Sequence, residues 1–247
     1  MMGKVIMSGI VPPLVAPVTG ILAGDLAVGS SVYLMENGVA AEYLVVNQGK
    51  PSGSSRYDDS CDGTWLLRKD LYESRQWHSS NDNTYSASTI HSYLNSTFLG
   101  LLDSDIQAVV KQVKIPYVNG TGSGGSVATG ANGLAAKIFL LSGYEVGFTT
   151  SVSSYFPVDG AKLDYFESGD TSGGTNRAKR IAYLNGTATI WWLRSPFTSY
   201  TDNAWLVVAN GSCRYNYCPS SYGIRPALVL PSTAVFDKET LILKGVA

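Results

Sequence analysis

Residues 190–230 read IWWLRSPFTSYTDNAWLVVANGSCRYNYCPSSYGIRPALVL. The stretch opens on Trp191, Trp192 and Arg194 and closes on Tyr222-Gly223-Ile224-Arg225-Pro226. Two polar runs, 198–203 and 212–221, flank the apolar segment 204–209. That segment is short, continuous, β-prone and bounded by turn residues, which predicts a buried strand. Asn210-Gly211 behind it predicts a hairpin turn, because both residues tolerate positive φ. Residues 224–230 predict a second strand, with Pro226 near its start or at a sheet edge. Two rigid strands would then carry loops rich in Tyr, Asn, Ser and Arg. That is the usage of a binding surface: Tyr and Trp give large contact area with few rotatable bonds, and Ser and Asn give adaptable hydrogen bonds.

Outside this stretch, composition sets bounds. A chain of 247 residues suits one large domain, or one domain with a small appendage. At 45% hydrophobic and 11% aromatic it can build a sizeable core. Charged residues make up only 15% and the net charge is −1, so the electrostatic footprint of a nucleic-acid binder is missing. Abundant Gly, Pro and Tyr point to short strands and many turns. Three cysteines (Cys61, Cys213, Cys218) are an odd count and read as three unpaired thiols. A Cys213–Cys218 loop clamp stays open for a protein working outside a cell. With two histidines, His78 and His91, and no C-x-x-C, no zinc signature exists. No cofactor or metal is expected.

Along the chain, residues 1–24 are apolar but broken by Gly9, Pro12, Pro13, Pro17 and Gly20. They make neither a signal peptide core nor a membrane span. An N-terminal docking arm, 1–28, ahead of one domain, 29–247, is the natural division. A hairpin is predicted over 30–47 around Glu36-Asn37-Gly38, and a strand over 64–70. Residues 86–94 predict a helix capped by Ser86 or Ser88, with Ile90, Leu94 and Phe98 at helical spacing and His91 as a hydrogen-bonding residue. A second helix is predicted over 104–113, capped by Asp103 or Ser104, with the stripe Ile106, Val109, Val110 and Val113. The Gly/Ser-rich 119–133 lacks the Gly-Lys-Ser/Thr ending of a phosphate loop and reads as a flexible surface loop. Residues 137–141 read as a strand, 168–176 as a second polar loop, and Arg177-Ala178-Lys179-Arg180 as a solvated basic face.

The frame WWLRSP…W-x-V…NG…YGIRPAL resembles the C-terminal part of C-type-lectin-fold proteins of gut bacteria and their phages, and within them the variable proteins of diversity-generating retroelements. SCDGTWLLRKD (60–70) and IFLLSGYEVG (138–147) are similar to the same group. The resemblance implies an α+β, C-type-lectin-like fold: two helices, short antiparallel strands and many loops. It implies a variable ligand-binding region at about 191–226, hypermutated mostly at asparagine codons on a constant scaffold. Ser, Tyr, Asp, Arg, Pro and Cys are all reachable from such codons, which accommodates Ser199, Tyr200, Asp202, Arg214, Tyr215, Tyr217 and Pro219. It also implies display on a phage tail or a bacterial surface, a protein or glycan receptor as partner, and a homo-oligomer such as a trimer.

Enzyme chemistry finds little footing. Neither histidine sits in a triad motif. Asp58, Asp59, Asp62, Asp159, Asp164 and Glu167 could supply a glycosidase pair but read as turn and cap residues. Formylglycine-generating enzymes share the lectin-like fold and use a cysteine pair, so an oxidase using Cys213 and Cys218 is an alternative, although spacing and context differ. The calcium-binding lectin tripeptides are absent, and Asp202-Asn203 alone is too few oxygen ligands. A non-enzymatic binder therefore leads, with a fixed lectin-like glycan binder and a cell-envelope glycosidase as further alternatives. Its ligand contacts are assigned to Ser199, Tyr200, Asp202, Asn203, Arg214, Tyr215, Asn216, Tyr217 and Pro219. Trp191, Trp192, Arg194 and Arg225 are assigned to the scaffold, Trp192 as core and the guanidinium groups as bridges from loops to backbone carbonyls.

Overall fold

The computed structural model describes residues 20–51, 55–167 and 175–246. The strands that place the site, numbered in chain order, are β1 (Ser31–Glu36), β2 (Val39–Gln48), β3 (Thr64–Arg68), β4 (Ser74–Gln76), β5 (Ile138–Phe139), β6 (Trp191–Pro196), β7 (Asn203–Val207), β8 (Cys213–Tyr217), β9 (Ser221–Gly223) and β10 (Ala227–Leu230). They form two five-stranded sheets, ordered β5-β10-β3-β2-β1 and β8-β7-β6-β9-β4. Within them β6 and β9 run parallel, meeting at Trp191 and Gly223. The other neighbours are antiparallel.

Local chemistry explains the first sheet. Val32 and Leu34 on β1 are buried and alternate with more exposed neighbours at the strand period, whereas β2 is buried without a break from Tyr43 to Asn47. Asn37 (φ 50°) and Gly38 (φ 74°) close the hairpin between them, the positive-φ pair that matches strand twist. Central β3 is apolar without alternation at Trp65, Leu66 and Leu67, because both its faces are covered. Trp65 meets Tyr57 and Phe139 edge-on, at ring-centroid distances of 5.6 and 5.4 Å.

The expected α+β, C-type-lectin-like fold is corrected here. The chain is mostly β, 36% strand against 16% helical, in small sheets that do not close into a barrel. Both expected helices form but stay short. α1 (Thr89–Tyr93), capped by Ser88, widens into a π-helical turn at Leu94–Phe98 and ends in a 3-10 turn at Leu99–Leu101. α2 (Ser104–Val109) has no side-chain cap bond from Asp103, and Val110 already turns extended. Val113, the last residue of the predicted stripe, joins a strand instead, Val113–Ile115. Valine loses rotamer freedom in a helix and packs readily on a pleated sheet, so the apolar stripe switches period part-way.

Smaller departures follow the same pattern. Part of the expected 119–133 loop pairs as Tyr117–Asn119 with Ser126–Ala128. Residues 224–226 precede β10 rather than belonging to it. Of the expected docking arm, 1–19 lie outside the described residues. Residues 20–28 dock on their own chain: Ile21–Leu22 pairs with Phe236 and Val235, and Ala23 is buried. Of the 168–176 loop, 168–174 likewise lie outside the described residues, and Thr175–Arg180 form a helix, α3. No helix among the described residues is long and apolar enough to cross a membrane.

Candidate ligand-binding surface

β6 runs beneath the candidate surface with every residue buried. The indole of Trp191 donates to the Arg180 carbonyl at 2.9 Å, and that of Trp192 to the Arg75 carbonyl at 3.0 Å. Arg194 grips Glu145 with two bonds of 2.5 and 2.6 Å. Its remaining N–H groups reach the carbonyls of Pro116, Leu140 and Asp159. Glu145 also accepts from the Tyr57 hydroxyl at 2.7 Å and from the Ser142 N–H. Beside this network Asp159 is fully buried; Ser195 Oγ donates to its Oδ2 at 2.8 Å, while Oδ1 has no partner. Burial pushes the Asp159 carboxyl up to about 7, with Arg194 offsetting only part of the effect. Arg225 binds the carbonyls of Arg68 and Lys69 and lies 5.2 Å from the Trp191 ring centroid. Among the described residues no salt bridge offsets its burial, which lowers its pKa to about 10.

Two further buried residues fix the loops above, and neither belongs to a recognisable motif. Asn83 lies 114 to 120 positions from its partners in sequence. Its side-chain amide donates to the carbonyls of Tyr200 (2.8 Å) and Asn203 (2.7 Å), with a longer contact to Phe197 (3.3 Å). Its own N–H adds a bond to the Thr201 carbonyl. The second is Arg180, expected on a solvated face and found buried. Its Nε donates to the Gly211 carbonyl at 2.7 Å, and its guanidinium carbon lies 4.1 Å from the Phe148 ring centroid. The β7–β8 hairpin turn is thus seated on α3. Gly211 adopts φ +82°, and a Cβ there would fall 2.1 Å from the Arg177 carbonyl oxygen. Gly38 has a similar φ of +74° with nothing within 4 Å. Gly211→Ala should therefore cost ~2–3 kcal/mol and Gly38→Ala only about 1, read as shifts in urea midpoint. Equal costs at the two glycines would show that the turn is not seated as described.

On the outer side, β7 and β8 pair Asn203 with Tyr217, Trp205 with Tyr215 and Val207 with Cys213. Strand alternation puts Tyr215 and Tyr217 on the Trp205 face, with Arg214 and Asn216 on the other. Phe156 stacks on Trp205 with a centroid separation of 3.7 Å, and Phe197 stacks on Tyr215 at 3.9 Å. Tyr200 leans on the same Phe197 at 5.3 Å. Packing on Phe197 holds Tyr155, Tyr200 and Tyr215 without hiding them. Tyr155, Tyr200, Tyr215 and Tyr217 remain 47%, 52%, 46% and 57% exposed.

The assigned contact residues divide accordingly. Tyr200, Asp202, Asn203, Tyr215, Asn216 and Tyr217 line one cleft of about 330 Å³. Arg214 and Tyr215 line a second, of about 610 Å³, walled by Val152, Ser153 and Trp205. Ser199 is exposed but lines neither cleft, and Pro219 lends its carbonyl to Gln76 on β4. Asn203 is buried apart from its place in the cleft wall, and Asn216 bonds the Tyr222 hydroxyl at 2.6 Å on the opposite face. Tyr155 went unassigned because it lies 45 or more positions from the other tyrosines; its carbonyl accepts from Trp205 Nε1 and Thr198 Oγ1.

The other chemical groups are placed differently. Cys61, Cys213 and Cys218 are free thiols. Burial raises the pKa of Cys213 and, more strongly, of Cys218, where the Asp202 and Asp82 carboxylates add to it. That disfavours the thiolate a cysteine-based oxidase needs. Glu145 and Asp159 are interior groups engaged with Arg194 and Ser195, not a carboxylate pair facing a cleft. Among the described residues, no group of three or more His, Cys, Asp or Glu could hold a metal ion.

A family model described as "Domain of unknown function (DUF6273)" matches residues 62–232, more than half of the chain. The chain belongs to the DUF6273 family. No curated protein and no solved structure matches it. The DUF6273 region starts just before β3 and ends just after β10, so it holds both clefts, Asn83 and the Arg194–Glu145 pair. The β1–β2 hairpin lies outside it and extends the first sheet beyond β3.

Proposed function

We propose that this protein is a non-enzymatic ligand- or receptor-binding protein that contacts its partner through the tyrosine-rich surface of the β7–β8 hairpin and the 198–202 loop. One observation carries the reading. Tyr200, Tyr215 and Tyr217 are exposed together on the 198–202 loop and the β7–β8 hairpin, whose main chains are held by buried Asn83 and Arg180 respectively. Tyrosine and arginine are the residues that most often become hot spots, and pre-ordered rings lose little entropy on binding. The resemblance of the WWLRSP…GIRPAL frame extends the proposal: the exposed positions are those a retroelement would vary, on a phage tail or bacterial surface. Several copies in a homo-oligomer would add avidity.

The test begins with binding of the purified protein to arrayed glycans, arrayed proteins and intact bacterial cells. Tyr200→Ala, Tyr215→Ala and Tyr217→Ala should each weaken any captured ligand by roughly 10- to 100-fold. A ligand whose affinity all three leave unchanged would refute this surface as the site. For diversification, a near-copy of codons 190–226 beside the gene, carrying asparagine codons where this chain has Tyr, Ser, Asp or Arg, is the expected finding. Substitutions scattered evenly through the frame would count against it.

A further inference from the structure

The outer strand of the second sheet, β8, has one neighbour, β7, and its other side is a sheet edge. The bonds at the two ends of the β7–β8 ladder fix which groups face that edge. Val208 N–H donates to Ser212 O and Cys218 N–H donates to Asp202 O, both at 2.8 Å. In an antiparallel pair hydrogen-bonded positions alternate, so the inward-bonded residues of β8 are Arg214 and Asn216. Cys213, Tyr215 and Tyr217 point their N–H and C=O groups outward. Tyr217 is already occupied: its N–H is met by the Asn216 side chain at 2.8 Å and its carbonyl accepts from Ser220 N–H at 2.9 Å. The Cys213 thiol leans on its own main chain, and no hydrogen bond from another described residue reaches the outward groups of Cys213 or Tyr215. What stays open is a short, ordered set of two donors and two acceptors, on the spacing of one extended chain.

Space is present beside that strand. The 610 Å³ cleft includes Ser212 to Tyr215 in unbroken order, and the 330 Å³ cleft includes Tyr215 to Tyr217. Together the clefts follow the whole length of β8 and meet at Tyr215. We propose that the partner is recognised as an extended polypeptide segment that adds to the edge of β8, main chain against Cys213 and Tyr215, with side chains entering the clefts on either side of Tyr215. This rests on the binding role proposed above and names the chemical class of its ligand. Added strands draw affinity from main-chain bonds and selectivity from pockets for alternate side chains, and this edge presents both.

A second copy of β8 is the obvious competitor, and the same geometry disfavours it. Two copies pairing symmetrically have three registers that use the open groups of Cys213 or Tyr215. Centred on Cys213, the pairing sets Tyr215 against Gly211, whose N–H and carbonyl are already bonded to Val208 and Arg180. Centred on Tyr215, the pairing sets Cys213 against Tyr217, whose groups are already bonded within its own chain. Centred on Arg214, it places two exposed arginines directly opposite each other, a destabilising like-charge pair. The edge is thus guarded against itself while open to a foreign strand.

The test uses the full chain against a displayed library of random linear peptides, with the glycan array in parallel. Linear peptides should be enriched, and N-methylation of alternate amides in a selected peptide should weaken it about tenfold or more. Cys213→Pro, which removes an outward N–H without touching the β7–β8 ladder, should weaken it similarly, with folding checked by near-UV circular dichroism. Peptides sensitive to Tyr200→Ala and Tyr217→Ala but indifferent to N-methylation would overturn strand addition and leave the binding role standing. Glycans bound in place of peptides would do the same. Concentration-dependent dimerisation abolished by Cys213→Pro would make the occupant a second copy and also overturn the inference. If nothing binds better than to a Tyr200→Ala/Tyr215→Ala/Tyr217→Ala variant, both readings fall.

Discussion

Replacing Arg194 with methionine is expected to destabilise the fold by ~3–5 kcal/mol, because it strands a buried carboxylate. Glu145 is fully buried and depends on Arg194 for two of its hydrogen bonds. The carbonyls of Pro116, Leu140 and Asp159 would lose their donors at the same time. At ~2–4 °C per kcal/mol for a chain of this size, thermal unfolding should fall by roughly 6–20 °C. Arg194→Met/Glu145→Leu should recover part of the loss, since removing both charges avoids the uncompensated one. Recovery would be incomplete, as Tyr57 and the Ser142 N–H would then lack their acceptor. A single variant that melts within about 2 °C of the parent would show that water or rearrangement satisfies Glu145, and that the pair is not the anchor described.

Asp159→Asn is expected to act in the opposite direction and only when the pH is high enough. Asp159 titrates near 7 in the folded protein, against an ordinary 3.8, mainly through burial. Its protonated form therefore favours folding fully below about pH 4, and that contribution is lost as pH rises through about 7. A shift of this size corresponds to a cost on the order of 4 kcal/mol above pH 7, as an upper figure. Asparagine keeps an oxygen for the Ser195 hydroxyl and carries no charge, so the variant should be clearly more stable than the parent at pH 8. The two should converge near pH 4. Unfolding midpoints of both chains across pH 4–8 decide this, and taking their difference removes the contribution of every other carboxylate. A variant no more stable than the parent at pH 8 would mean that Asp159 is ionised without penalty.

How much of this was legible in the sequence depended on the range of the interaction. Asn37-Gly38 announced its hairpin because a positive-φ pair is a local requirement, met by two adjacent residues. The apolar 204–207 run and Asn210-Gly211 placed β7 and the turn behind it for the same reason. The helices were overread. Ile106, Val109, Val110 and Val113 satisfy a helical period, yet packing draws Val113 into a strand, and period alone does not arbitrate between them. Of what holds the site, Arg194 and Arg225 were legible as guanidinium bridges to backbone carbonyls, whereas the partners Glu145, Asn83 and Arg180 were not. Asn83 reaches carbonyls 114 to 120 positions away, Glu145 meets Arg194 across 49, and Arg180 reaches Gly211 across 31. Such partners leave no mark in local pattern or spacing. Arg180 in particular sits in a basic run that reads as solvated, and only tertiary packing separates it from Lys179.

The way the loops are fastened has a consequence for how freely this surface can change. Asn83 and Arg180 take hold of carbonyl oxygens, and Asp202 and Cys218 are joined through main-chain atoms. Every residue type except proline offers the same main-chain donor and acceptor. Outside the Asn210-Gly211 turn, the shape of the 198–202 loop and of the hairpin is consequently written in a script that does not record which side chains it carries. Positions such as Ser199, Tyr200, Arg214 and Tyr217 can be rewritten one letter at a time, or all at once, while the surface that presents them keeps its contour.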